Sequence, residues 1–488
     1  MKTVLFFWIL YSSFNFTLNA QEIFDTDNHK APDSLSFSKD NWKPEALQAG
    51  FYTPKRIGQL WDTWLYFYKG VYYQYYLAGI PGKWDSFELM TSPDGVHWKE
   101  VGRMLEPRKG TTWMGTGHII EAPDFKNHPR WIMNYSEWFG DKQDIMFATS
   151  ENLVDWSKVP DSYRFIQDDR WYKPKGRWDC IDCVTREDGS FYGYFTADPV
   201  AEKFPFPVCG FGFAESKDGI SWTALPPVPG DISGELGGIQ KISDKYYITV
   251  SEGRIAVAEK PEGPFLAQKK NPNMFGQGCD IYFPRFFHNP PTDKTPKNSG
   301  VLVNHFYTGK DTIFSAPLKE VEIDQEGILR LKWWEQNNLL KDKRIKLILE
   351  NSGGKNESVH LFSNAFNTND VGVVESKIKL AADACEKYPV GYYFDAGLDS
   401  GYVLMFNKNE AVFGTMNHDG SDLKIKVRLN RDIEFSEFST VRIVFKRDLL
   451  EAYLNDYLVM LKRLNWSGKL GIIVQKNEIS GFRAWVHD

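Results

Sequence analysis

A chain of 488 residues, 42% hydrophobic and 25% charged, is long enough for two or three globular domains with sizeable cores. Its net charge of −6 gives no positive field for nucleic acid or an anionic membrane surface, so neither is expected as a partner. Aromatic residues reach 15%, with 17 Trp and 23 Tyr; these side chains fill pleated sheets and also stack on sugar rings, and composition alone does not separate the two uses.

Residues 1–20 read as a secretory leader, with Lys2, an apolar run from Val4 to Leu10 trailing to Leu18, and a cleavage position after Ala20. No Cys follows that position, which argues against a lipid anchor, and no later stretch reaches the roughly 18 apolar residues of a membrane span. The mature chain is therefore expected to be exported, periplasmic or extracellular, and soluble. Residues 21–50 are polar and irregular, a lead-in arm.

From residue 51 to about 338 the pattern is short strands of Tyr, Phe, Trp, Val and Ile between Gly, Pro and Asp turns, with no long helical period. One phrase recurs there. It is Ser92-Pro-Asp-Gly-Val-His-Trp98, then Ser150-Glu-Asn-Leu-Val-Asp-Trp156, then Ser216-Lys-Asp-Gly-Ile-Ser-Trp222, with a degenerate copy from Glu259 to Phe265. Each copy follows an apolar strand, and the spacing of about 60 residues matches one propeller blade with its loops. Counting strand pairs gives five blades. From 339 to 488 the repeat stops and strands with Asn and Asp turns follow, as in a β-sandwich. The expected fold is all-β, a five-bladed β-propeller and then a C-terminal β-sandwich, joined by a linker around 335–343.

Five cysteines, Cys180, Cys183, Cys209, Cys279 and Cys385, are too few and odd in number for a disulfide framework. Cys180 and Cys183 have metal-like spacing, but no second Cys or His pair completes a zinc site. No metal and no cofactor are expected.

Three acids stand among aromatics or glycines, each opening the inner strand of a blade. Asp62 lies in Gln59-Leu-Trp-Asp62-Thr-Trp64 before the first blade, Asp179 in Gly176-Arg-Trp-Asp179-Cys-Ile-Asp182 before the third, and Glu235 in Ser233-Gly-Glu235-Leu-Gly-Gly238 before the fourth. Any one alone could be a turn acid or half of an ion pair. Together they fit the two carboxyl groups that glycosidic cleavage requires, one to protonate the leaving oxygen and one to attack or activate water. A buried Glu235 would have a raised pKa suited to acid work, while Arg177 would keep Asp179 ionised. Trp61, Trp113, Arg177 and Asp280 are the expected sugar contacts, and Asp85 and Asp182 the replacements should Asp62 or Asp179 point away.

The first-blade segment Leu60-Trp-Asp62-Thr-Trp-Leu-Tyr-Phe-Tyr-Lys-Gly70 resembles that of the invertase and fructanase glycoside hydrolases (family 32) and of related arabinan-degrading enzymes (family 43). In the fructan-cleaving family an Asn-Asp-Pro-Asn-Gly motif precedes a Tyr-Tyr-Lys-Gly strand end. Arg177-Trp-Asp179 loosely matches that family's Arg-Asp-Pro, and Glu235-Leu236 its Glu-Cys; none of the three motifs is present in strict form. The resemblance implies a propeller and lectin-like sandwich, with Asp62 as nucleophile or base, Asp179 stabilising the transition state and Glu235 as acid/base. The function expected is exported hydrolysis of a terminal furanoside from an oligo- or polysaccharide. The alternatives are a catalytically inactive glycan-binding propeller and a protein-interaction module.

Overall fold

In the computed structural model, residues 47–54, 60–80, 83–123, 130–276, 280–288, 300–308, 313–350, 359–379, 390–407, 410–429, 438–474 and 479–487 are described. The expected leader, most of the expected arm, Cys279 and Cys385 lie outside them. No helix among the described residues is long and apolar enough to cross a membrane.

Antiparallel sheets in chain order make the blades. Blade I runs Trp61–Tyr68, Val71–Ile80, Lys83–Ser92 and His97–Leu105, with Gln48–Ala49 added at its outer edge. Blade II is Trp113–Glu121, Trp131–Phe139, Lys142–Ser150 and Ser157–Lys158. Blade III is Trp178–Thr185, Phe191–Ala197, Gly212–Ser216 and Trp222–Leu225, and blade IV is Leu236–Ile242, Lys245–Val250, Ile255–Ala258 and Leu266–Ala267. Blade V starts with Ile281–His288 and Val301–Tyr307. The ring closes from blade V to blade I. Asn304 Nδ2 donates to Thr63 O and Oγ1 at 3.0 and 2.8 Å, Gln74 Nε2 donates to Ser315 Oγ at 2.7 Å, and Tyr52 bridges Ser315.

The recurring phrase is the outer turn of its blade, and its chemistry is local. Ser92 Oγ accepts from the backbone N–H of Asp94 and Gly95 at 3.3 and 2.8 Å, and Asp94 Oδ1 accepts from Val96 and His97 at 2.8 Å each. Ser216 and Asp218 repeat the pattern with Gly219, Ile220 and Ser221, and Ser150 and Asn152 repeat it with Leu153, Val154 and Asp155. Two short side chains thus satisfy four amides that the tight turn leaves without ladder partners. The fourth position needs positive φ, +76° at Gly95 and +80° at Gly219. Leu153 takes +64° there, a strain of about 1–2 kcal/mol. Its side chain is fully buried, and about 1.5–3 kcal/mol from that burial offsets the strain.

The sandwich pairs a sheet of Val359–Leu361, Leu470–Val474, Val390–Gly397, Ser400–Phe406, Ala411–Asn417 and Lys424–Arg428 with one containing Tyr457–Arg463, Leu449–Leu454, Phe438–Lys446, Val371–Lys379, Ile479–His487 and Lys343–Ile345. The second sheet is continuous with blade V through Lys319–Ile323 and Leu329–Trp333, the crossing being the pair Lys332 with Tyr457. Residues 335–343, expected as a linker, contain a 3₁₀ turn at Glu335–Leu340 with Asn337 and Leu340 buried. One apolar cluster holds Leu65 of blade I, Phe306 of blade V and Val371, Val444 and Leu461 of the sandwich.

Within that seam Lys319 Nζ meets Glu451 Oε1 at 2.9 Å with both side chains fully buried. Tyr307 Oη and Tyr453 Oη donate to the two oxygens of Glu451 at 2.8 and 2.6 Å, and Lys319 also donates to Pro317 O at 2.8 Å. A buried pair survives desolvation only when its remaining hydrogen-bonding capacity is filled in this way.

Candidate active site

Every inner strand is broken by a β-bulge in its first few residues. The shifts fall between Trp61 and Trp64, Met114 and Gly117, Asp179 and Ile181, Leu236 and Gly238, and Tyr282 and Arg285. A bulge sets two residues against one and re-aims the side chains there. At three of them a residue other than glycine has positive φ: Asp62 (+39°), Cys180 (+20°) and Phe283 (+53°). Such strain persists where surrounding structure enforces it and gathers at functional sites.

The three carboxylates of blades I, III and IV meet around two guanidinium groups. Arg177 Nη2 donates to Asp179 Oδ2 at 2.9 Å and also to Glu235 Oε1. Asp179 takes a further bond from Ser136 Oγ at 2.5 Å. Gln143 of blade II fixes this corner, giving Nε2 to Ser136 Oγ at 2.8 Å and accepting Trp178 N at 3.1 Å and Arg177 Nε at 3.3 Å on Oε1. The other oxygen of Glu235 accepts from Tyr282 Oη of blade V. Asp62 is 7% exposed, and its Oδ1 has no hydrogen-bond partner among the described residues.

Arg285 lies in the same field, fully buried. Its Nη2 donates to Cys180 Sγ at 2.7 Å, Gly117 O at 3.2 Å and Thr116 Oγ1 at 3.3 Å, and the guanidinium sits 4.9 Å from the Phe283 ring. Its Nε and Nη1 have no hydrogen-bond partner among the described residues. Asp182 also lies in the field of Arg285, and within this crowd of charges Asp62 and Glu235 are driven in opposite directions. Burial, then the charges of Glu235 and Asp179, push Asp62 well above the ordinary carboxylate range against the pull of Arg285 and Arg177. Burial opposes ionisation of Glu235 too, but the Arg177 charge and the bonds from Tyr282 and Arg177 outweigh it and hold Glu235 below its usual value. The raised Glu235 expected from burial alone is thus reversed, because a cation lies against it.

The remaining candidates divide. Trp61 is half-buried beside the acids, its ring 5.8 Å from Trp84, 5.5 Å from Tyr282 and 4.9 Å from Phe306. Trp113 opens blade II, its ring edge-to-face with Trp138 at a centroid separation of 5.4 Å. Asp280 is not brought to the carboxylates: its Oδ2 accepts Arg463 N at 3.0 Å, so it ties blade V to the sandwich. Asp85 is exposed beside Ser86 and Arg103. Asp182 is buried between blades, accepting Cys183 N at 2.8 Å and Ile239 N at 3.0 Å and facing His118 Nε2 at 3.2 Å.

No group of three or more metal-ligating side chains comes together among the described residues. The Cys180 thiol is pushed up to about 12 by burial and accepts the Arg285 bond. Sequence reasoning missed Tyr282, Gln143 and Arg285. Arg285 could have been found as the lone charge of Ile281–His288, whose other residues apart from the terminal His288 are apolar, aromatic or Pro.

No protein-family model matches the sequence, and no curated protein matches it either. Solved structures do match in fold. Fructan 1-exohydrolase IIa from Cichorium intybus superposes with a TM-score of 0.64 at 14% identity, over 90% of this chain and 97% of that one. Exo-inulinase from Aspergillus awamori gives 0.61 at 12%, over 91% and 98%, and a glycoside hydrolase family 32 protein from Bifidobacterium adolescentis gives 0.63 at 13%, over 91% and 82%. At such identities the likeness is one of fold.

Proposed function

We propose that this chain is an exported glycoside hydrolase that cleaves a terminal sugar, a furanoside, by a two-carboxylate mechanism. The observation that carries the reading is the meeting of Asp62, Asp179 and Glu235, from the first residues of three different blades, around Arg177. The solved structures that share the fold include a fructan exohydrolase, an exo-inulinase and fructofuranosidases, one of them crystallised with fructose. Export rests on the leader read in residues 1–20.

Cleavage needs one carboxyl protonated toward the leaving oxygen and the other ionised toward the anomeric carbon. In the free site burial and the neighbouring carboxylates favour the protonated form of Asp62, while Arg177 favours the ionised form of Glu235. A sugar whose hydroxyl groups draw the Arg177 guanidinium away removes the charge that holds Glu235 low. Glu235 then becomes the better proton holder and Asp62 the nucleophile or base, with Asp179 stabilising the oxocarbenium-like state. The two groups titrate as a pair, so substrate binding decides the order of protonation.

Asp62→Asn and Glu235→Gln should each lower kcat/KM by several orders of magnitude on whichever of the fructofuranosides, arabinofuranosides or galactofuranosides the wild type hydrolyses. Wild-type turnover in both variants refutes the assignment. A second reading, a catalytically silent glycan-binding propeller, is favoured by the same Arg177–Glu235 bond, which ties up the acid. Calorimetric binding of those sugars with no release of reducing sugar would establish it instead.

A further inference from the structure

Beside Arg177 the surface of blade III carries an aromatic run that the reaction itself does not use. Trp171, Phe204 and Phe206 are consecutive neighbours, with centroids 6.1 and 6.2 Å apart and planes turned by 37° and 42°. Phe206 is 44% exposed, and Trp171 rests one side on the core between blades II and III, leaving the rest to solvent. Single exposed apolar residues need no explanation, but three rings in a row form a patch of the kind that marks a binding surface.

The two segments that carry the rings are built as one rigid piece. Val200 N donates to Trp171 O at 2.9 Å, Lys173 N to Asp198 O at 2.9 Å, and Lys203 Nζ to Asp169 O and Arg170 O at 2.9 Å each. Tyr172, next to Trp171, is buried and donates its hydroxyl to Leu225 O at 2.8 Å. Pro205 and Pro207 flank Phe206 in sequence and fix their own φ. The piece is tied to the acids through Asp198, whose Oδ2 accepts Arg177 N at 2.9 Å. It also belongs to the same end of the blade, since Trp171 and Arg177 lie on the segment leading into Trp178–Thr185, and Ala197, which leads into the Phe204 segment, pairs with Trp178.

We propose that Trp171, Phe204 and Phe206 form a stacking subsite for sugar rings on the leaving-group side of the scissile bond, which makes oligo- and polysaccharides the preferred substrates over short glycosides. The inference rests on the hydrolase reading. Sugar rings present C–H faces to flat apolar surfaces, and rings held rigid bind with little loss of side-chain entropy. Ring spacings of about 6 Å over three members suit consecutive residues of a chain rather than one isolated sugar.

The test compares wild type, Trp171→Ala and Phe206→Ser on nitrophenyl furanosides and on inulin-type and arabinan oligosaccharides of increasing length. Both variants should raise KM at least tenfold for oligosaccharides of four or more residues and leave kcat/KM on the nitrophenyl furanoside within twofold. Equal losses on short and long substrates, or none on either, would overturn the subsite. Affinity electrophoresis in gels cast with inulin or arabinan separates its failure from failure of the hydrolase reading. Retardation of the wild type and of Asp62→Asn but not of Trp171→Ala supports the platform even without turnover. Equal mobility of wild type and Trp171→Ala in every gel counts against it.

Discussion

Gly115→Ala puts a methyl group where the site has no room. A Cβ there would lie 2.0 Å from Ser136 Oγ and 2.8 Å from Asp179 Oδ1, against ordinary contacts of 3.4–4 Å. Ser136 is fully buried, receives Gln143 Nε2 and gives its only proton to Asp179, so it cannot retreat by more than 1 Å without losing the Asp179 bond. Overpacking costs about 1–3 kcal/mol, and a lost bond to a buried charge about 1.5–3 kcal/mol; together roughly 3–5 kcal/mol. A catalytic carboxylate displaced by about 1 Å lowers the rate on the order of 10²-fold. Urea unfolding followed by Trp fluorescence reads the first effect and kcat/KM the second. Adding Ser136→Ala removes the nearer obstacle, so Gly115→Ala/Ser136→Ala should be more stable than the sum of the single losses by at least about 1 kcal/mol. An unchanged urea midpoint and unchanged kcat/KM in Gly115→Ala would refute the reasoning, since no contact so close could then exist.

Asp62→Asn should trade activity for stability. The unfolded carboxyl loses its proton near pH 4, while burial and then the charges of Glu235 and Asp179 keep the folded one protonated to higher pH. The wild type therefore loses stability as pH rises between the two values. The Tm advantage of Asp62→Asn should widen from about pH 4.5 to 7.5; an advantage that narrows counts against a protonated Asp62. At the seam, Lys319→Met leaves Glu451 buried with its charge uncompensated and should cost about 3–5 kcal/mol. Lys319→Met/Glu451→Gln removes that charge while keeping a hydrogen-bonding partner for Tyr307 and Tyr453, so it should be more stable than Lys319→Met in urea unfolding; equal instability of both variants would show that the buried charge is not the cause. Ending the chain near residue 338 exposes the strip of core shared by blade V and the sandwich, so this truncation should be recovered mainly as aggregate. A monodisperse, fully active truncation would show that the propeller needs no cover there. Cys180, with its thiol pushed up to about 12, should react with a thiol reagent at neutral pH only after denaturant is added.

The outer turns were legible because their bonds run between residues two and three apart: Ser, Asp or Asn, and a positive-φ position suffice to draw them. Asp62, Asp179 and Glu235 were legible for a different reason, their common place at the head of an inner strand. The order of protonation was not. It depends on Arg177 reaching from blade III to Glu235 of blade IV, and no spacing within one segment reveals a contact 58 residues apart. Asp280 misled for the same reason. It opens blade V as the three acids open theirs, but the sandwich supplies the Arg463 amide that occupies it, and packing between distant segments leaves no local trace. Tyr282, two residues on, makes the contact with the acids instead.

The irregularity repeated at the head of all five inner strands gives the ring a crown of bent strand ends. Hydrogen bonding resumes below each kink, so the ladder beneath stays in register while the bent residues face their neighbours. The bends hold Asp62 and Thr63, Gly115 and Thr116, Cys180, Gly237, and Phe283 and Pro284, with Asp179 and Glu235 just ahead of two of them. A change at one bend therefore reaches the next blade, as the Cβ of Gly115→Ala pressing on Ser136 and Asp179 illustrates.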